Sequence, residues 1–355
     1  MAPVNLRFCF YNAFLLRAGR LPLPGPKRFL HSVPAVDARA AELGRRLAGR
    51  YDVAALCEVF DQSERRAIMA GWYRRDRGGD RDGGGRAGHW SRGRGRRPRL
   101  RTASGPPVLT GRMPLVKTSG LLTVVDGPRV ARTATHLYRV RGHRFLDADA
   151  WANKGALLVE VDVGAGANLE VYSTHLIWGG DLLFRRERGH RSAVADYRQA
   201  QAHELLDFVR RTHVDGNATL IVGDFNIDAL HPSPAYADLT AAMGDAGFDD
   251  VWLEHGVGPG YTCDARELRD AIAVPDPADP DLCVDRDGAD APEITEAAKR
   301  IDFAWLRRPG AGDGVAVEVA AMRRACFPRT PGVEGYDDLP YLSDHLGLHL
   351  ELILS

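Results

Sequence analysis

The 355-residue sequence predicts an α/β chain in which two packed, mostly antiparallel β-sheets are flanked by helices. Short apolar runs rich in β-branched and aliphatic residues recur along the whole length and outnumber the segments of helical periodicity. Several of these runs stop at a polar side chain. The composition, 45% apolar and 26% charged, is that of a chain able to bury a core. No internal repeat interrupts it, and one domain over residues 1–355 is predicted.

The elements follow in order. Leu6 to Phe10 is an apolar run that ends at Tyr11-Asn12 and reads as a buried strand. Val36, Ala40, Leu43, Leu47 and Tyr51 recur at helical spacing, which assigns the intervening Arg and Glu residues to the other face. Val53 to Cys57 is a second buried strand, stopping at Glu58. Gly120 to Val125, Gly155 to Val163 and Asn168 to Thr174 read as further strands. A long helix is predicted over Arg186 to Thr212, because Val194, Tyr197, Leu205, Phe208 and Val209 fall near one face. Thr219 to Val222 is a strand ending at Asp224, and Pro232 to Ala246 a helix. Ile301 to Leu306 and Val315 to Val319 resume the strand pattern. Leu346, Leu348, Leu350 and Leu352 then alternate with Gly347, His349 and Glu351, as in a half-buried strand.

Two stretches read as loops. Between Arg74 and Arg101 lie eleven arginines and eight glycines with almost no aliphatic residues, too little apolar surface to offset the entropy of ordering. A solvated flexible loop is predicted there, with a phosphate-binding or nucleic-acid-binding arm as the alternative. From about 256 to 296 the chain is rich in Asp and Pro and reads as a long surface loop.

Formal net charge is zero, so no overall field draws the protein to nucleic acid or to an anionic membrane. The five cysteines are an odd number without metal-site spacing, which points to a reduced compartment such as the cytoplasm. The N-terminal residues carry no basic start followed by an apolar core, so no export signal is expected, and no uncharged apolar run suggests a membrane-spanning helix.

The chemistry concentrates at the strand ends: Asn12, Glu58, His175, Asp224 with Asn226, Asp302, and Asp344 with His345. Carboxylates and amide oxygens suit a hard cation such as Mg2+, with Mn2+ or Co2+ as substitutes. Phosphodiester hydrolysis needs an activated water, a proton acceptor and positive charge near the developing phosphorane oxygens, and this set supplies all three. A cation on Glu58 would polarise the phosphoryl oxygen. His345, oriented by Asp302, would serve as base. Singly, Asp224 and Asn226 read equally well as a turn and His175 as a core histidine; coincidence at every strand end does not.

The segments Tyr11-Asn12, Glu58, Ser173-Thr174-His175-Leu176, Gly223-Asp224-Phe225-Asn226, Arg300-Ile301-Asp302-Phe303 and Ser343-Asp344-His345 together resemble the endonuclease/exonuclease/phosphatase superfamily. The resemblance implies a four-layer α/β sandwich. It makes Glu58 the principal Mg2+ ligand, with Asn12 close by and Asp344 beside the metal. Asp224 and Asn226 would position water and phosphate, His175 would stabilise the pentacovalent phosphorus, and either Asp224 or His345 takes the proton. Cys57-Glu58-Val59-Phe60-Asp61, Asn153-Lys154-Gly155 and His175 are similar to the neutral sphingomyelinase branch, which adds Lys154 to the phosphate contacts. The expected substrate is therefore a lipid or small-molecule phosphodiester, with peripheral membrane contact. A nuclease or an inositol-phosphate phosphatase of the same fold is the alternative, and no protein partner is implied.

Overall fold

The computed structural model describes residues 3–16, 35–78, 99–102, 118–140, 152–164, 168–179, 188–231, 233–263, 273–285, 298–310, 314–329 and 341–355. Its strands form two mixed sheets. The first contains β1 (Val4–Leu15), β2 (Val53–Val59), β3 (Arg99–Thr102), β4 (Leu122–Val125), β10 (Ala273–Asp276), β11 (Asp279–Asp285), β13 (Val317–Ala325) and β14 (Gly347–Leu354), in the order β10-β11-β13-β14-β1-β2-β4-β3. The second contains β5 (Arg129–Leu137), β6 (Gly155–Asp162), β7 (Asn168–His175), β8 (Ala218–Asp224), β9 (Asp249–Asp250) and β12 (Asp302–Arg307), in the order β5-β6-β7-β8-β12-β9.

Each sheet has one parallel pair, β1 with β2 and β7 with β8, and every other pairing is antiparallel. A parallel pair needs a crossover. The helix α1 (Val36–Leu47) makes the first and α3 (Arg188–Thr212) the second. α2 (Gln62–Gly78) packs beside α1, α4 (Pro234–Asp245) lies on the α3 side, and α5 (Val251–His255) is a short turn of helix before the β10–β11 hairpin.

The period-two alternation of strands decides which side chain enters which layer. Leu6, Phe8 and Phe10 of β1 join Val53 and Ala55 of β2 and the four even-numbered leucines of β14 in the core between the sheets. Cys9, Tyr11 and Ala13, on the opposite face, pack with Leu43, Leu47, Ile68 and Trp72 beneath α1 and α2. The second sheet does the same: Leu220 and Val222 point to the inter-sheet core, while Ile221, Phe303 and Trp305 point to α3 and α4. The result is the four-layer α/β sandwich.

Three sequence expectations change. Arg39 and Glu42 of α1 are buried rather than solvent-facing, because Arg39 donates to the backbone carbonyls of Leu342, Ala13 and Phe14 and Glu42 pairs with Arg45 and Arg46. The Arg/Gly stretch is ordered at both ends, since α2 runs to Gly78 and β3 begins at Arg99; its remainder, 79–98, lies outside the described residues. The Asp/Pro-rich stretch contains the β10–β11 hairpin, while 264–272 and 286–297 lie outside the described residues. Its Asp279 and Asp281 pair with Arg50 and Arg46 of the α1 layer, and Asp276 and Asp285 with Arg323 and Arg324 of β13, so the acids that suggested a loop hold an edge hairpin in place.

α1 and α2 approach closely at two glycines. A Cβ on Gly71 would lie 1.8 Å from the Ala41 carbonyl oxygen, and one on Gly44 1.9 Å from that of Ile68. Neither backbone can yield cheaply. Gly71→Ala is expected to cost about 1–3 kcal/mol, as overpacking does, and a thermal melt unchanged from wild type would contradict this contact. No described helix is long and apolar enough to cross a membrane.

Candidate active site

The alternation that builds the core also aims the polar residues. Asn12 lies two residues after Phe10, Asp224 two after Val222 and His175 four after Val171, so all three continue the inter-sheet face past the last apolar layer. Asp302 precedes Ala304 on the same face of β12. Glu58 is the exception. By alternation it would follow Leu56 toward the helices, but its backbone is left-handed, with φ 58°. That conformation is costly for a residue with a Cβ. It brings the carboxylate to Asn12, whose Nδ2 lies 3.4 Å from Glu58 Oε1.

Asn12 is the hub. Its Nδ2 donates to Asp224 Oδ2 at 3.0 Å and lies 3.4 Å from His345 Nε2. Its Oδ1 accepts from Phe14 N at 3.1 Å, which leaves one lone pair of that oxygen uncommitted by this bond. His345 is held through its other nitrogen, with Nδ1 2.8 Å from Asp302 Oδ2. The Ser343 hydroxyl donates to the Asn12 carbonyl at 2.7 Å and accepts from His345 N, tying the Ser343-Asp344-His345 turn to β1. Lys154 Nζ lies 2.8 Å from His175 Nε2, which is 3.5 Å from Asp224 Oδ2 and 3.9 Å from Glu58 Oε1.

Asn226 is placed differently. Its backbone is also left-handed, at φ 53°, and its N–H returns to Asp224 Oδ1 at 2.9 Å. Its side-chain amide donates to the Leu176 carbonyl, away from the other groups. Asp344 Oδ1 lies 3.3 Å from the neighbouring Ser343 hydroxyl, whose single proton is directed at the closer Asn12 carbonyl. Sequence reasoning missed Arg39 and gave Ser343 no role of its own within the matched Ser343-Asp344-His345 segment, yet both fix the turn carrying His345. Arg39 was findable, because position 39 falls three residues after Val36 and four before Leu43, on the apolar stripe.

Burial dominates the electrostatics. It pushes the Glu58 carboxyl up to about 7, with Asp344 and Asp224 adding to the rise and Lys154 and His345 opposing it. Asp224 is pushed up to about 6 by burial and by Asp302, and Asp344 is raised mainly by burial. His175 is held well below the usual histidine range by burial and the nearby Lys154. Burial acts against charging His345 as well, yet Cys263 and the hydrogen-bonded Asp302 hold it well above that range.

Among the described residues, Glu58, Asp224, Asp302 and Asp344 thus lie within electrostatic reach of Lys154, Arg39 and His345. Glu58 Oε2 and Asp302 Oδ1 are buried without a hydrogen-bond partner, and an isolated buried carboxylate is costly unless a cation balances it. Asp224, Asp302 and His345 each bring one potential ligand atom within 4.8 Å of the others. The donor set, oxygen-rich with few imidazoles and no thiolate, fits a hard divalent cation.

Known proteins share this architecture. A Staphylococcus aureus beta toxin mutant with bound magnesium ions superposes with TM-score 0.59 at 14% identity, covering 98% of this chain and 99% of that one. Sphingomyelinase C from Streptomyces griseocarneus gives 0.56 at 18%, covering 98% and 99%. TDP2 of D. rerio, complexed with a single-strand DNA product, gives 0.54 at 16%, covering 98% of each chain. In sequence, a Caenorhabditis elegans protein provisionally named a neutral sphingomyelinase is 25% identical over 244 residues, which is 64% of this chain and 47% of that protein. The chain therefore spans about half the length of that curated relative. The sequence pattern of the endonuclease/exonuclease/phosphatase family matches residues 28–345, and the chain belongs to that family.

Proposed function

We propose that this protein hydrolyses a phosphodiester with the help of a divalent cation, and that its substrate is sphingomyelin or a related choline-type phosphodiester, released as a phosphorylated headgroup and an alcohol. The observation that carries the reading is the Asp302–His345 pair set against Asn12, Glu58 and Asp224 in one buried acidic cluster. Glu58, with an unsatisfied oxygen, is the residue that would hold the cation, with Asp344 near it. Asp302 is a weaker choice, because one of its oxygens is committed to His345. The bound cation, Mg2+ in this reading, would stabilise charge on the phosphoryl oxygens and the departing group.

The remaining chemistry belongs to the chain. Nδ1 of His345 is occupied by Asp302, so Nε2 is the nitrogen turned toward Asn12 and Asp224. Charged at neutral pH, the ring donates to a phosphate oxygen. Asp224, raised to about 6, is largely ionised at pH 7 and accepts the proton of the attacking water. Lys154 and neutral His175 bind the substrate phosphate beside it, with the Asn226 turn shaping the floor. Sphingomyelin is favoured by Lys154, His175 and the residues around Glu58, and by the provisional name of the C. elegans relative.

Turnover of sphingomyelin, choline lysophospholipids, single- and double-stranded DNA and inositol phosphates, each with Mg2+ and with chelator, tests this directly. Sphingomyelin or lysophospholipid hydrolysis that chelator abolishes is expected. Hydrolysis of DNA alone would replace the substrate assignment with a nuclease, in which the arginine-rich run would hold the strand and binding would weaken steeply with salt.

A further inference from the structure

Asp302 opens β12 opposite Asp224 of β8, and among the described residues β9 covers the other edge of β12 only at Trp305 and Leu306. The N–H of Asp302 therefore points to an edge with no strand to receive it. Thr262 fills that gap. Its hydroxyl oxygen accepts from Asp302 N at 3.2 Å and from Ile301 N at 3.3 Å. Its carbonyl accepts from Leu346 N at 2.7 Å, directly after His345. The same short segment is pinned to Lys299, with Thr262 N and Cys263 N both donating to the Lys299 carbonyl and Lys299 N returning to Cys263. Cys263 also bridges to His345. One residue upstream, the buried Arg324 donates to the Tyr261 carbonyl and lies 4.4 Å from the centre of the Tyr261 ring.

Asp302 comes from one sheet, and the turn carrying His345 leads into the other. Thr262 is fully buried and bonded to both. We infer that Thr262 is a positioning residue for the Asp302–His345 pair, its hydroxyl fixing the backbone of Asp302 while its carbonyl fixes that of Leu346, so that Oδ2 and Nδ1 meet at 2.8 Å. Its hydroxyl and carbonyl are both engaged by backbone N–H groups, so it acts through the pair. Acid–base geometry tolerates little displacement, and a hydroxyl that orders two backbone amides at the start of the Asp302 strand controls that displacement.

The kinetic part of this inference rests on the proposed phosphodiesterase activity; its spectroscopic part does not. Thr262→Val keeps the shape and removes the acceptor, and Thr262→Ser keeps the acceptor. Thr262→Val is expected to lower kcat about tenfold or more, the effect of roughly one hydrogen bond's worth of misalignment, with KM changed less than twofold. Thr262→Ser is expected to keep kcat within about twofold of wild type, the loss of one methyl group being a small perturbation. In proton NMR, the downfield Nδ1–H resonance of His345, assigned by its loss in His345→Gln, should persist in Thr262→Ser and shift or vanish in Thr262→Val. Unchanged kcat and an unchanged resonance in Thr262→Val would overturn the inference. If Thr262→Val lacks a cooperative thermal transition, Thr262→Ser decides: loss of the resonance there overturns it, and its retention supports it. Were no phosphodiester turned over by wild type, the functional reading would fall while the resonance still tested Thr262.

Discussion

Replacing His345 with alanine is expected to lower kcat by about 10²- to 10³-fold on whichever phosphodiester the protein turns over, the range for removal of a preorganised donor to developing charge. The imidazole reaches Asp302, Asn12 and the edge of Asp224 together. Alanine removes the charged donor to the phosphate and leaves Asp302 with both oxygens buried and unpartnered, so some loss of stability accompanies the loss of rate. Asp302→Asn separates the two effects: the fold keeps its volume, while His345 loses the carboxylate that raises it. The activity of that variant should fall and its dependence on pH should move down with the ring. Full activity in His345→Ala, measured at saturating substrate and Mg2+, would remove His345 from the reaction.

The second large effect has opposite signs for rate and stability. Glu58→Gln is expected to abolish turnover, because the amide cannot balance a divalent cation, and to stabilise the metal-free protein. The folded-state value of Glu58 is about 7 against an ordinary 4.5. Between those values the folded protein holds a proton that the unfolded chain has released, so the wild type loses stability as pH rises through that window. The loss is complete above about 7 and amounts to about 3 kcal/mol. Glutamine has no proton to lose. In chelator, the melting temperature of Glu58→Gln should exceed that of wild type at pH 8, and the gap should close as pH falls toward 5. Added Mg2+ should raise the wild type and leave the variant where it was. A gap independent of pH would show that Glu58 is not the strained carboxyl.

The strand-end residues were legible because two independent periodicities meet there. Phe8, Phe10 and Asn12, or Leu220, Val222 and Asp224, read in the sequence as apolar runs that end in oxygen, and the structure puts those ends on one face. The family resemblance added the number of layers, which periodicity alone does not give. Less legible were elements whose burial is partial or whose partners are distant. β5 alternates between half-buried and exposed residues such as Arg129 and Arg132, so it carries little apolar signal. α2 was signalled only by its start, where Glu64 accepts from the Asp61 N–H in the pattern of a capping box. The arginine partners of Asp279 and Asp281 lie more than two hundred residues upstream, and no local window could have turned those acids from loop residues into a hairpin. The left-handed backbone at Glu58 is equally invisible in sequence, since nothing about a glutamate announces it.

Asn12 and Glu58 come from one sheet, and His175, Asp224 and Asp302 from the other, so no fragment of either sheet contains the cluster. Its assembly is decided by side chains that never approach a substrate, including Phe10 and Val222 between the layers. An expanded state with every strand intact but loosened packing would lack the cluster altogether. Activity in this chain therefore depends on how its hydrophobic interior holds the two sheets together as well as on its acids and histidines, and a variant with that interior loosened should lose turnover before it loses its strands.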